Sequence, residues 1–242
     1  MYARPETWPA YERLWASVRD QLQAVQDVPR TLNGSDDLWR DWKDPGLLLS
    51  QTCSLPFRTA LSDKLTLLGS PQYDLDSPPG YYHSVIVVRS DDRRENLADF
   101  SEATFAVNDA LSQSGWAAID EAARLAGFSV ARTILTGSHF KSACAVAASE
   151  ADIASLDALT WKLMNRWDRV VRDLRVLDRT APTPGLPFVT ARPSLARMLV
   201  IALQAGFRHL SKDDRFTLGQ MDLVQIPVER YLELPAPRAL PT

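Results

Sequence analysis

The run Ser112-Gln113-Ser114-Gly115 stands directly ahead of an apolar-periodic stretch from Trp116 to Ala126. Hydroxyls and a glycine before a helix leave several backbone N–H groups without intrahelical partners. Those groups, the hydroxyls and the positive end of the helix dipole together suit an anion. Three other polar sets fall between predicted elements. They are Gln51-Thr52-Cys53, Tyr81-Tyr82-His83-Ser84, and Gly137-Ser138-His139 with Ser142, followed by Asp157. Asn108 belongs with the first run. Each set has an ordinary structural use: Ser, Asn and Asp before helices are caps, and a single His is commonly a hydrogen-bonded structural residue. A functional role for these residues therefore rests on their convergence. A tetrahedral oxyanion needs donors from several directions, and these loops supply hydroxyl, amide and imidazole groups without a cluster of Lys and Arg.

Other chemistries fit less well. The chain has no Gly-x-Ser-x-Gly elbow, His-Glu-x-x-His motif or P-loop. Ser, His and Asp all occur among the candidates, but nothing in the sequence suggests the strained turn of a nucleophile. Three histidines without ligand spacing do not make a zinc site. No cofactor is implied. Cys53 and Cys144 are far apart in the chain and read as two buried thiols rather than a disulfide.

The elements that must position these residues follow from periodicity. A helix is expected over 8–27, where Trp8, Tyr11, Leu14, Trp15, Val18, Leu22 and Val25 recur at helical spacing. Asp36–Trp42 reads as a second helix, and Leu47–Gln51 and Leu65–Gly69 as strands. Ser77–Gly80 is a turn, and Tyr81–Arg89 is the clearest strand, suited to burial on both faces. Strand, loop and helix then alternate: Phe105–Val107 with 115–126, Ile134–Thr136 with 139–149, and Ile153–Leu156 with 158–171, closed by Leu174–Leu177. That alternation predicts a parallel sheet with helices on both faces, with ligands at the strands' carboxyl ends. The chain resumes with Phe188–Thr190 and a helix at 194–206. The tail over 222–242 reads as extended and holds four of the sixteen prolines.

Bulk properties set limits. The 242 residues are 45% hydrophobic and 24% charged, with a net charge of −3. That is enough for one large domain or two small ones, and it gives no electrostatic support for a nucleic-acid or membrane-surface role. No apolar run approaches the roughly 20 residues that span a bilayer, so no membrane insertion is expected. Breaks near 84–90 and 181–187 bracket a central block, as if a second lobe were inserted into the first.

The chain resembles the PhnD-like phosphate/phosphite/phosphonate substrate-binding proteins of ABC transporters. The resemblance is carried by Leu48–Cys53, Gly80–Arg89, Phe105–Asn108, Ser112–Gly115, Gly137–Ser142, Asp152–Asp157 and Pro184–Pro187, in that order and spacing. It implies an α/β, two-lobed type II periplasmic-binding-protein fold: two mixed sheets flanked by helices, with a hinge between lobes. Lobe 1 would comprise 1–84 plus 183–242, and lobe 2 residues 85–182. It further implies a solute-binding protein, not an enzyme, that captures a small phosphorus oxyanion in an interlobe cleft. Ser112, Gln113, Ser114 and Gly115 would hold the oxyanion, joined by His139, Asp157, Tyr82 and, from the first lobe, Gln51 or Thr52. Asp157 beside a phosphorus group favours a protonated oxyanion or an amino-bearing ligand. An ABC transporter permease is the implied partner and the periplasm the implied location, although no signal peptide precedes the first helix. The alternative is a cytoplasmic enzyme or a ligand-sensing module on the same bilobal fold.

Overall fold

The computed structural model describes residues 2–22, 25, 27–34 and 37–241. They divide into two compact units, Met1–Tyr81 with Pro184–Glu233, and Tyr82–Thr183 with Leu234–Thr242. Residues 234–241 thus fall in the second unit, whereas the sequence pattern assigns 183–242 to lobe 1.

The chain opens with α1 (Trp8–Asp20), which buries Ala10, Leu14, Trp15 and Val18. It is shorter than the expected 8–27 helix. At its end Gln21 and Leu22 donate to the carbonyls of Val18 and Arg19, which tightens the last turn. Gln23, Ala24 and Gln26 of that expected helix lie outside the described residues. So does Asp36, the expected start of α2 (Leu38–Trp42), whose first turn is capped by Asp37 accepting from Arg40 N–H. Next come β1 (Ser50–Gln51), the single turn α3 (Ser54–Pro56), a π-helical turn Phe57–Leu61 and β2 (Thr66–Tyr73). The expected 47–51 strand is reduced to its last two residues.

The second unit is entered through β3 (Tyr81–Tyr82) and β4 (Ser84–Arg89). It continues through β5 (Thr104–Val107), a π-helical turn Gln113–Ala117 running into α4 (Ala118–Leu125), β6 (Arg132–Leu135), α5 (His139–Ala147), β7 (Ile153–Asp157), α6 (Ala158–Trp167) and β8 (Leu174–Arg179). Its sheet has the order β6-β5-β7-β4-β8. β5 pairs parallel with β6 and β7, as the alternating pattern predicts, while β4 runs antiparallel to both β7 and β8. Residues Ser84 to Val88 are all buried, which explains their unbroken apolar run. Phe100, Phe105, Val107, Trp116, Ile119, Ala123 and Ile153 form the core beside this sheet.

The chain returns through β9 (Thr183–Pro184) to β10 (Phe188–Thr190), α7 (Ala196–His209), α8 (Lys212–Leu218), β11 (Gln220–Val224) and α9 (Glu229–Leu232). The first unit's sheet has the order β1-β10-β2-β11, with every described pairing antiparallel. The mixed character expected of the sheets is therefore carried by the second one. The apolar stripe of α1 packs with Leu199, Ala202, Leu203 and Phe207 of α7 over Leu68, Phe188 and Leu223 of the sheet.

Candidate anion-binding site

The site forms where β5 gives way to α4. Ser112 takes an extended conformation and caps the turn, its Oγ accepting from Gly115 N–H at 2.9 Å. Its carbonyl accepts from both Trp116 and Ala117 N–H at 3.0 Å, which makes this turn wider than an α-turn. Gly115 is not in a left-handed conformation; it is required by space. A Cβ at residue 115 would lie 1.7 Å from Asn108 Oδ1, so the Asn108 amide is seated directly against the glycine backbone. That Oδ1 is buried and makes no hydrogen bond.

Ser114 is held from two sides. Its carbonyl accepts from Ser84 Oγ of β4 at 3.0 Å and from Ser155 Oγ of β7 at 2.7 Å. Its own Oγ lies 2.9 Å from His139 Nε2 and 3.5 Å from Ser112 Oγ. His139 opens α5, whose N-terminus is capped by Ser138 accepting from Lys141 N–H at 3.2 Å. Burial pushes the imidazole down from an ordinary 6.5 to about 4, against a smaller opposing pull from the Ser155 backbone. Nδ1 itself is buried and makes no well-formed hydrogen bond. At neutral pH the ring is uncharged, with one N–H to donate and one nitrogen to accept. The turn therefore offers an anion the Ser112 and Ser114 hydroxyls and a neutral imidazole, while the N–H groups of Gly115, Trp116 and Ala117 are already engaged by Ser112.

Asp157 ends β7 and caps α6, accepting from Thr160 N–H at 2.8 Å. It is buried and lies opposite Ser84 in the β4–β7 register. His83 O accepts from Ala158 N–H, so the start of β4 and the start of α6 are tied together. Tyr82, just before, is buried, as is Gln113. The structure thus joins Ser112, Ser114, Gly115 and His139 by direct contacts and sets Asp157 beside Ser84, which holds Ser114. Gln51 and Thr52 lie in the other unit with local partners: Gln51 Nε2 donates to Leu186 O at 3.1 Å, and Thr52 Oγ1 to Cys53 O at 3.2 Å. Ser142 is turned to Thr136, with 2.7 Å between their hydroxyls. Ser155 escaped the sequence reading, and Ser84 was singled out only as part of its loop. A hydroxyl inside a strand buried on both faces must find a partner, and that was the available signal. Among the described residues no group of three or more His, Cys, Asp or Glu is placed to hold a metal ion. Cys53 and Cys144 are not joined in a disulfide; Cys53 is buried as expected, whereas Cys144 is only half-buried.

A bilobal α/β fold with a donor-lined helix start is the architecture of a periplasmic solute-binding protein. Residues 59–226, more than half of the chain, match the profile of the family described as ABC transporter, phosphonate, periplasmic substrate-binding protein, and the chain belongs to that family. It is a family of substrate-binding proteins rather than enzymes, which sets aside the enzyme alternative. Three solved structures illustrate the fold. XAC2383 from Xanthomonas citri, bound to ATP, is 18% identical with a TM-score of 0.71, covering 94% of this chain and 92% of its own. PhnD1 from Prochlorococcus marinus, in complex with methylphosphonate, is 13% identical with a TM-score of 0.68, covering 92% and 90%. A binding protein component of an ABC phosphonate transporter (PA3383) from Pseudomonas aeruginosa is 18% identical with a TM-score of 0.66, covering 91% and 77%. No curated protein sequence matches the chain. No described helix is long and apolar enough to cross a membrane.

Proposed function

We propose that this chain captures a small phosphorus oxyanion on Ser112–Gly115 and His139 and presents it to an ABC transporter permease in the periplasm. The observation that carries this reading is the fixation of Ser114. Two buried hydroxyls hold its carbonyl, and its own hydroxyl is aimed at His139. Donors fixed before the ligand arrives need little reordering on binding, which is where affinity is gained. PhnD1 holds methylphosphonate and XAC2383 holds ATP; the chemistry shared by those ligands is the phosphorus oxyanion. In this reading Tyr82, Gln113 and Asp157 of the same unit complete the binding set, with Gln51 or Thr52 as contributors from the first unit. The Asp157 carboxylate favours a ligand that brings a proton or an ammonium group.

Calorimetry on protein freed of carried-over ligand tests the reading with phosphate, phosphite, methylphosphonate and aminoethylphosphonate. At least one should bind, and Ser114→Ala should weaken it by about tenfold, the loss of a hydrogen bond to a charged group. Failure to bind any of the four overturns the reading. Asp157→Asn should shift preference away from the amino-bearing or protonated ligand, and an unchanged order removes Asp157 from the selection.

A further inference from the structure

Residues 234–241 re-enter the second unit and close on the helix that carries the anion site. Arg238 is the centre of this contact. Its backbone N–H donates to Asp120 Oδ2 at 2.9 Å, its Nε to Asp120 Oδ1 at 2.7 Å and its Nη2 to Asp120 O at 3.3 Å. Nη1 donates to Ser129 Oγ. The Arg238 carbonyl in turn accepts from the indole N–H of Trp116 at 2.8 Å. Beyond it Leu240 packs against the core, and Thr133 Oγ1 donates to Pro241 O at 3.0 Å. Asp120 is only 6% exposed, so this charge needs its partner.

The two groups that Arg238 grips are not arbitrary points on the helix. Trp116 directly follows Gly115, and Asp120 lies one helical turn further on. One tail residue therefore pins both turns that follow the anion site. At the other end Gly115 is jammed against Asn108. A rotation or slide of this helix would carry Ser114 Oγ off its 2.9 Å contact with His139. We propose that Arg238 is a positioning residue for ligand binding: the C-terminal segment acts as a strap that fixes Trp116 and Asp120 and so holds the Ser112–Gly115 turn in register with His139. The strap touches no ligand. It acts through the helix alone, and its effect on binding rests on the proposed oxyanion site.

The test uses the full chain with Arg238→Ala, Arg238→Lys and Trp116→Phe. Methylphosphonate affinity is read by calorimetry, and amide hydrogen exchange is read over residues 113–118. Arg238→Ala should raise Kd about three- to tenfold, the cost of one or two net hydrogen bonds. Lys, which keeps the charge but loses the fork, should fall between. Trp116→Phe, which removes the grip on the carbonyl together with part of a buried ring, should raise Kd by about threefold or more. Exchange over 113–118 should quicken in all three. A merely structural strap would lower thermal stability while leaving the Kd of the folded variants within twofold of wild type and exchange over 113–118 unchanged, and that result overturns the proposal. If Arg238→Ala does not fold, the two milder variants decide. If the wild-type chain binds none of the four oxyanions, the function proposed above falls, and exchange alone then decides the strap: quickened exchange supports it and unchanged exchange overturns it.

Discussion

Gly115 and His139 show how single residues set the site's chemistry. Alanine at 115 would place its Cβ 1.7 Å from Asn108 Oδ1, far inside contact distance, and Ser112 Oγ would stand at 3.1 Å. Asn108 or the turn must move, and overpacking of this kind costs about 1–3 kcal/mol. Gly115→Ala should therefore lower the melting temperature and weaken oxyanion binding together, and adding Asn108→Ala should restore much of both. No recovery in the double variant would place the clash elsewhere. His139 makes a pH prediction. Its imidazole is held at about 4 in the fold by burial, against 6.5 ordinarily. The unfolded chain therefore takes up the proton first as pH falls. The stability that comes from the neutral ring is complete above pH 6.5 and is lost progressively between 6.5 and 4. The urea midpoint of the wild type should drop more steeply from pH 7 to pH 4.5 than that of His139→Gln. Parallel profiles would mean that this ring does not titrate as described.

At the level of elements, the turn at Ser112–Gly115 is secured by two strands rather than by its own cap alone. Ser84 of β4 and Ser155 of β7 both donate to Ser114 O. Either hydroxyl can satisfy the carbonyl, so Ser84→Ala and Ser155→Ala should each cost only about 0.5–1.5 kcal/mol by urea denaturation. The double variant leaves a buried carbonyl with neither of these donors and should cost about 1–3 kcal/mol more than the sum. Simple additivity would show that the two hydroxyls act independently. These roles were not legible in the sequence, because they depend on which residue of β4 stands opposite which residue of β7. The strands themselves were legible: the apolar runs of β4, β5 and β7 and the periodic faces of α4 to α6 announce them. The π-helical turn was not, since an apolar face with helical spacing looks the same in either helix. Gly115 accordingly reads as the first residue of the helix, whereas the turn already begins at Gln113. The antiparallel insertion of β4 between β7 and β8 is not legible in the sequence, because strand direction has no local signature. α8 and β11 were missed because Lys212–Leu218 is mostly polar and the following strand was absorbed into a tail read as extended.

On the scale of the whole molecule, an anion-binding protein with a net charge of −3 has no long-range attraction to offer its ligand. Whatever holds the oxyanion must act at contact. The contacts on hand are hydroxyls and an imidazole that is neutral at pH 7. Hydrogen bonds at contact are barely screened by dissolved ions, whereas attraction to Lys or Arg through solvent falls off within a Debye length of about 10 Å at 0.1 M salt. Methylphosphonate affinity at pH 7 should therefore change by less than about twofold between roughly 50 and 500 mM salt, with gluconate as the salt anion so that chloride does not compete. The association rate should not fall with salt either, since a net negative protein gains slightly when its repulsion is screened. A tenfold loss of affinity over that range would require a Lys or Arg charge on the ligand, and the neutral-donor account of Ser112–Gly115 and His139 would then be wrong.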